Sequence, residues 1–362
     1  MEEIKLGENI MKYRLKAQMT QDQLAEYIGV SKSAVSKWEN AMTYPDITIL
    51  PALATLFNVT VDTLMGYDKQ LTKDAIIRIY GELSEEIAKG KIDEVLKKCK
   101  EYTKEYYSCF PFLLQLAVFY SNHFDLYRDK MNVLEEAIKL CRRIQKESQE
   151  PALSKEAFYM EAIILMMNNQ PEETLKLLGE EVKPLKQEGE MISSAFQQLG
   201  NMEKAKEITQ ICYYQYLLLL LGNGCVYMMM NIENLELVEE TIKRLGGVME
   251  LFEVNQLHLN AGTQFYASAA AAYSTHGMKD QALEMLEKYL KVCQNADYTL
   301  HGDAYFDNIQ GWLEGLALGI MPPRNEAIIK QSMLSIIHEN PAFEALRDEA
   351  GYKAIVRRLK DV

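Results

Sequence analysis

The sequence predicts an all-α protein in two parts, a small five-helix head followed by a long helical solenoid. Three observations carry this. Apolar residues recur three and four apart; helix caps and stops punctuate the first 66 residues; and from Asp74 onward helical periods continue with few strand signals. The spacing places the head at residues 1–68, a short linker at 69–73 and the helical-repeat part at 74–362.

In order, Leu6, Ile10, Tyr13 and Ala17 stand at helical spacing and predict a first helix from about Lys5 to Ala17. Thr20 is placed to cap a second helix, whose apolar Leu24, Ala25 and Ile28 share a face and which Gly29 ends. Ser31 caps a third. It buries Val35 and Trp38 and leaves Lys32, Ser33, Ser36 and Lys37 outward. Pro45-Asp46 opens a fourth helix through Leu50, Leu53, Leu56 and Phe57, and a short fifth, Val61 to Met65, closes on Gly66. The second and third helices, joined by a glycine turn, have the spacing of a helix-turn-helix, whose second helix enters the DNA major groove.

At these residues the chain resembles the XRE family, relatives of the lambdoid phage repressors. The match runs from about Leu6 to Asp68 through Thr20-Gln21, Leu24-Ala25, Gly29-Val30-Ser31, Val35-Ser36, Trp38-Glu39-Asn40, Pro45 and Val61-Asp62. The resemblance implies a five-helix lambda-repressor-like fold and a role for each aligned residue. Gln21 falls where the family touches a phosphate. Lys32, Ser33 and Lys37 fall where it reads base edges, with Ser36 on the same outward side; lysine suits guanine O6 and N7, while serine specifies little. Asn40 and Thr43 fall where the following loop touches the DNA backbone. Arg14 and Glu39 match a structural ion pair. Ala41 departs from the pattern, because the family usually has glycine there; if that backbone needs positive φ, alanine costs energy.

At 362 residues, with 48% hydrophobic and 25% charged residues, the chain is long enough for two or three cored domains. The acidic start MEEIKLGENIMKY lacks a signal-peptide core, and the six cysteines form no CxxC pair. Together these predict reduced thiols in a cytoplasm. The five histidines are well separated, so no metal site or cofactor is expected. The apolar run Ile211 to Met230 is interrupted by Gln215 and by Gly222-Asn223-Gly224, which reads as a buried helix and turn and not a membrane span. Net charge is −13, yet Met1 to Tyr67 carry six basic against eight acidic residues, so most of the negative charge lies beyond the head. DNA contact should be confined to the head. A head so poor in positive charge should bind weakly alone; dimerisation would double the contacts, and the resemblance implies a homodimer on half-sites about 10 bp apart.

Beyond the head, Tyr266, Ala270, Tyr273, Gly277, Ala282 and Leu286 stand at the offsets of the tetratricopeptide repeat. The same register places Phe196, Gly200 and Ala205 in one weaker repeat, Phe158, Ala162, Leu165 and Leu178 in another, and Ile79, Leu83, Gly90 and Tyr102 in a fourth. Pro111 to Ile144 reads as further helix pairs, and Asn340 to Leu359 resembles the capping helices of such arrays. The two-part chain resembles cytoplasmic XRE regulators with a repeat domain, including the peptide-sensing RRNPP family.

That resemblance implies amides for pairing with a peptide backbone. Asn260 and Gln264, one turn apart on the first helix of the strongest repeat, are candidates, with Asn308 on a helix expected within Asp303 to Leu318. Asn231 and Asn255 stand near helix ends. The Tyr213, Tyr214, Tyr216 and Met228-Met229-Met230 cluster reads as core more than as a groove lining. The chain lacks GxxxxGK[ST], GxSxG, HExxH and GxGxxG, so no catalytic residue is expected and the protein reads as a non-enzyme. Two functions fit: a ligand-controlled, dimeric regulator of double-stranded DNA, or an adaptor whose solenoid binds a protein while its head localises it to DNA. A narrow amide-lined groove favours the first; an exposed apolar patch favours the second.

Overall fold

The computed structural model describes residues 5–66 and 70–362. The expected end of the head at residue 68 and start of the linker at 69 lie outside the described residues. Every regular element among the described residues is helical. They divide into two compact units, one holding the residues up to Thr72 with 101–112, the other 73–100 with 113–362. Within the first unit, Gln70 Nε2 donates to the Ser108 carbonyl at 3.2 Å.

The head is built by local signals that each close one helix. α1 (Leu6–Lys16) leads to α2 (Gln21–Ile28), which opens on a capping box: Thr20 accepts from Gln23 N while Gln23 accepts from Thr20 N. Gly29 at φ 78 ends α2, and Ser31 caps α3 (Lys32–Glu39) through Ala34 N. Asp46 then caps a short 3₁₀ turn at Ile47–Ile49 that runs into α4 (Leu50–Phe57), and Thr60 caps α5 (Val61–Met65). The apolar faces meet in one core of Leu6, Ile10, Leu24, Val35, Trp38 and Leu53 with their neighbours. α1 crosses α3 at Gly7, where a β-carbon would sit 2.1 Å from the Trp38 carbonyl oxygen. Only glycine permits that approach.

The second unit strings helix pairs together. α6 (Lys73–Ala88) and α7 (Ile92–Glu105), whose residues from 101 on belong to the first unit, precede α8 (Phe110–His123), which belongs to the second from Leu113 on, then α9 (Lys130–Glu147), α10 (Pro151–Met167) and α11 (Pro171–Leu178). α12 (Glu188–Gln198), α13 (Met202–Met230), α14 (Leu235–Leu251), α15 (Val254–Leu257), α16 (Leu259–Thr275) and α17 (Lys279–Gln294) follow. α18 (Gln310–Gly315), α19 (Glu326–His338) and α20 (Ala350–Lys360) complete it. Four of the pairs share one turn. In α6/α7, α10/α11, α12/α13 and α16/α17 the residue at the turn is left-handed: Gly90, Asn169, Gly200 and Gly277 at φ 80, 54, 79 and 70. The next amide bonds back to a carbonyl five residues earlier, as Lys91 to Glu86, Gln170 to Leu165, Asn201 to Phe196 and Met278 to Tyr273. In the α16/α17 pair Ala270, Ala282 and Leu286 are fully buried and let the helices approach closely.

The C-terminal residues lock onto that pair. Ser274 Oγ donates to the Ala342 carbonyl at 2.6 Å, Tyr289 OH to the Met333 carbonyl at 2.9 Å, and Arg358 pairs with Glu287 at 2.7 Å.

Two expectations need correction here. α13 runs unbroken through Gly222-Asn223-Gly224 as a 29-residue helix. Gly224 is not a turn; a β-carbon there would meet Leu245 Cδ2 at 2.7 Å, so the glycine lets α14 pack closely. Asn308 is not helical, because Asp303 Oδ1 accepts from the amides of Tyr305 and Phe306 and bends the chain before α18 begins.

Candidate functional site

α3 is held from beneath by a buried charge network. Arg14 Nε and Nη2 donate to the two Glu39 oxygens at 2.6 and 2.9 Å, and Arg14 Nη1 donates to the Met19 carbonyl at 2.7 Å. The hydrogen bond to Glu39 is the largest influence on Arg14 and raises its pKa above the ordinary value. Burial alone would raise the Glu39 carboxyl. The hydrogen bonds from Arg14 and Gln21, with the Arg14 charge, outweigh it and hold the acid below its usual range. A bidentate, buried pair of this kind fixes one orientation of α3 on α1.

The opposite side of α3 is polar. Ser33, Ser36, Lys37 and Asn40 fall at positions i, i+3, i+4 and i+7, on one helical face away from buried Val35 and Trp38. Ser33, Lys37 and Asn40 are exposed and Ser36 is half-buried. Ser33 Oγ lies 3.0 Å from the Ser31 hydroxyl, and Asn40 Nδ2 donates to the Ser36 carbonyl at 2.8 Å. Thr43 stands exposed in the loop that follows. The face offers hydroxyls, an amide and one ammonium, a set that suits base edges and phosphates.

Two residues of the expected set are differently employed. Gln21 Nε2 donates to Glu39 Oε2 at 2.8 Å, so its amide braces the ion pair and is not held free for a phosphate. Lys32 lies at the flank of the face and pairs with Asp22 on α2 at 2.7 Å, both side chains exposed. Sequence spacing misses both partners because they sit on another helix. Ala41 does take φ 52, so the backbone conformation that favours glycine is present with alanine in it.

In the second unit, Asn260 borders a cavity of 420 Å³ with Thr263, Tyr298, Arg324, Ser332 and Met333. A neighbouring cavity of 690 Å³ shares Tyr298, Met321 and Arg324 and adds Tyr80 and Ser84. Volumes of this order suit small ligands. Arg324 Nη2 pairs with Asp125 at 2.7 Å and its Nη1 reaches Ser332 Oγ at 3.2 Å. Its buried Nε and the buried Ser84 hydroxyl have no hydrogen-bond partner among the described residues. Gln264 is exposed on α16 but outside the cavity lining, and Asn308 lies elsewhere, its amide N–H donating to Gln210 Oε1 at 2.9 Å. The structure therefore does not bring the three amides together. Nothing in the spacing of helices marks Arg324 or Tyr298, which lie on connecting segments; the signal was the Met321-Pro322-Pro323-Arg324 run itself.

The aromatic and methionine cluster splits. Tyr214 and Met228 are core, whereas Tyr213 and Met230 are exposed.

With known proteins, the likeness centres on the head. A family model described as Helix-turn-helix matches residues 10–64. The HTH-type transcriptional activator BcrR of Enterococcus faecalis is 35% identical over 69 residues, 19% of this chain, and the chain spans only 34% of the length of BcrR. The HTH-type transcriptional regulator ImmR of Bacillus subtilis is 30% identical over 91 residues, covering 25% of this chain and 72% of ImmR. The crystal structure of Bacillus thuringiensis PlcR in complex with the peptide PapR7 and DNA aligns over 99% of this chain and 94% of its own. Its identity is 17% and its TM-score 0.28, too loose a superposition to inform the second unit.

Proposed function

This chain belongs to the helix-turn-helix transcriptional regulators, and we propose that it binds double-stranded DNA as a homodimer in the cytoplasm, controlled by a ligand in its second unit. One observation carries the DNA reading: α3 is clamped through Glu39 while Ser33, Ser36, Lys37 and Asn40 stand on its opposite face. In this reading Lys37 is the main base-edge donor, Ser33 and Ser36 tolerate several bases, and Asn40 and Thr43 meet the DNA backbone. Lys32 joins them only after leaving Asp22, which adds a partner-exchange step to its contact. Few cations face the DNA, so two heads on one duplex are needed for useful affinity.

The ligand reading rests on the cavity beside Asn260. An extended peptide presents backbone carbonyls, and the exposed Asn260 amide on the lining of that cavity is a donor suited to them. A peptide bound there regulates DNA binding if it fits one dimer geometry better than another. The adaptor reading draws on the apolar surface that α13 exposes.

DNA selection from random fragments with the purified chain at fixed salt tests the proposal, repeated with Lys32→Ala and Lys37→Ala combined. Recovery of an inverted repeat that the double variant fails to select supports it. Equal enrichment by both proteins, or none by the wild type with and without co-purified peptide, overturns it.

A further inference from the structure

α13 carries two apolar faces on opposite sides. One, with Tyr214, Leu217, Leu221, Cys225 and Met228, is buried in the core that α14 and α16 share. On the other, Leu219, Leu220, Val226, Tyr227 and Met230 fall within about 60° of Asn223 on a helix of 3.6 residues per turn. These five side chains are 47% to 78% exposed. No charged residue interrupts the helix between Glu207 and Glu233. Monomeric proteins rarely leave so continuous an apolar stripe in water.

The first half of the stripe is already covered. α12 lies along it, with Ser193 Oγ donating to the Ala205 carbonyl at 2.9 Å and Tyr216 OH donating to Glu190 Oε1 at 2.7 Å. From Leu219 onward none of the described residues covers it. The stripe has the spacing of a coiled-coil seam: Tyr216, Leu220, Asn223, Tyr227 and Met230 follow one another at intervals of four, three, four and three. A single asparagine in such a seam fixes register and partner number.

Building on the dimer proposed above, we infer that the bare half of α13 is the dimer interface, covered by the same stretch of a second copy. An uncharged stripe is its own complement, whereas the rest of a chain at −13 repels its copy. The orientation follows from α12. Parallel packing would set the α12 helices of the two copies against each other at one level. Antiparallel packing about Asn223 places each α12 beyond the partner's Met230, opposes Leu220 to the partner's Tyr227, and lets the two Asn223 amides pair across the axis. A membrane is the competing occupant, since the helix is long and apolar enough to span one by length and composition. Its other face is anchored in the core, and the acidic body is repelled by anionic lipid.

Sedimentation of the full chain decides it. The wild type should run at twice the 41.5 kDa of one chain, and Leu220→Glu with Tyr227→Glu at that single mass with an unchanged helical spectrum. If the double glutamate variant does not fold, Leu220→Ala with Tyr227→Ala should raise the dimer dissociation constant about 100-fold. Asn223→Cys should give an interchain disulfide on mild oxidation, and Lys243→Cys, exposed on the next helix, should not. A monomeric wild type, a dimer indifferent to these changes, or binding to phosphatidylcholine–phosphatidylglycerol vesicles without self-association would each overturn the inference. Failure of the DNA selection alone would leave these masses unchanged and count against the DNA reading only.

Discussion

α3 and α13 are built alike and finished differently. Each buries one face and leaves the opposite one in water, but on α3 that face is serine, lysine and asparagine, and on α13 it is leucine, valine, tyrosine and methionine. A polar face loses little in water and waits for a hydrogen-bonding polymer. The apolar face is destabilising until covered, so its partner must be apolar and present most of the time. On the proposals above, the two exposed faces take two classes of partner: DNA for α3, and a second copy for α13.

The contrast breaks most severely if the support under α3 is removed. Glu39→Ala leaves Arg14 as a buried, unpaired charge and should cost about 3–5 kcal/mol of head stability, read by denaturant titration of Trp38 fluorescence in a Trp312→Phe background. The same pair sets an acid limit. The Glu39 pKa is lowered on folding, so its contribution is present above the unfolded value of 4.5 and is lost as pH falls through the lower folded value. In the second unit burial pushes His123 down to about 4, so stability there already declines as pH falls below the unfolded 6.5. Far-UV circular dichroism, dominated by the second unit, should respond to acid before Trp38 does; the reverse order would contradict this assignment.

Gly7→Ala is next. Its β-carbon would drive α1 off the Trp38 carbonyl at an expected cost of about 2 kcal/mol, measured by the same titration. Ala41→Gly sharpens the contrast in the other direction. Relieving a left-handed alanine should stabilise the head by about 1 kcal/mol and leave the second unit untouched. The smallest effect on stability belongs to Lys32→Ala, at most about 0.5 kcal/mol, because its pair with Asp22 is exposed. Lys37→Ala should be equally silent in stability yet weaken DNA binding about tenfold or more by fluorescence anisotropy.

The head was legible because its signals act within a few residues. Thr20, Ser31 and Thr60 cap the helices that start beside them, and Gly29 and Gly66 stop them. Ala41 stands out because it departs from the glycine of the resembled family, and it does take the left-handed backbone. What escaped depends on partners distant in sequence. Gln21 looks free until Glu39 is placed beside it, and Gly222-Asn223-Gly224 looks like a turn until Leu245 is seen to need Gly224. Asn308 is expected on a helix within Asp303 to Leu318, but Asp303 competes for the backbone amides of Tyr305 and Phe306 and wins locally. The bare stripe of α13 was hidden in a run that periodicity alone reads as core, since sequence does not say which apolar face finds a neighbour.

The most direct test is the DNA that each form of the chain selects from a random pool at fixed salt. The wild type should recover an inverted repeat with half-sites about one helical turn apart, and the Leu220→Glu, Tyr227→Glu chain only a single half-site, at lower affinity. If the face variant selects the same inverted repeat as tightly as the wild type, α13 does not pair the heads and the account is wrong.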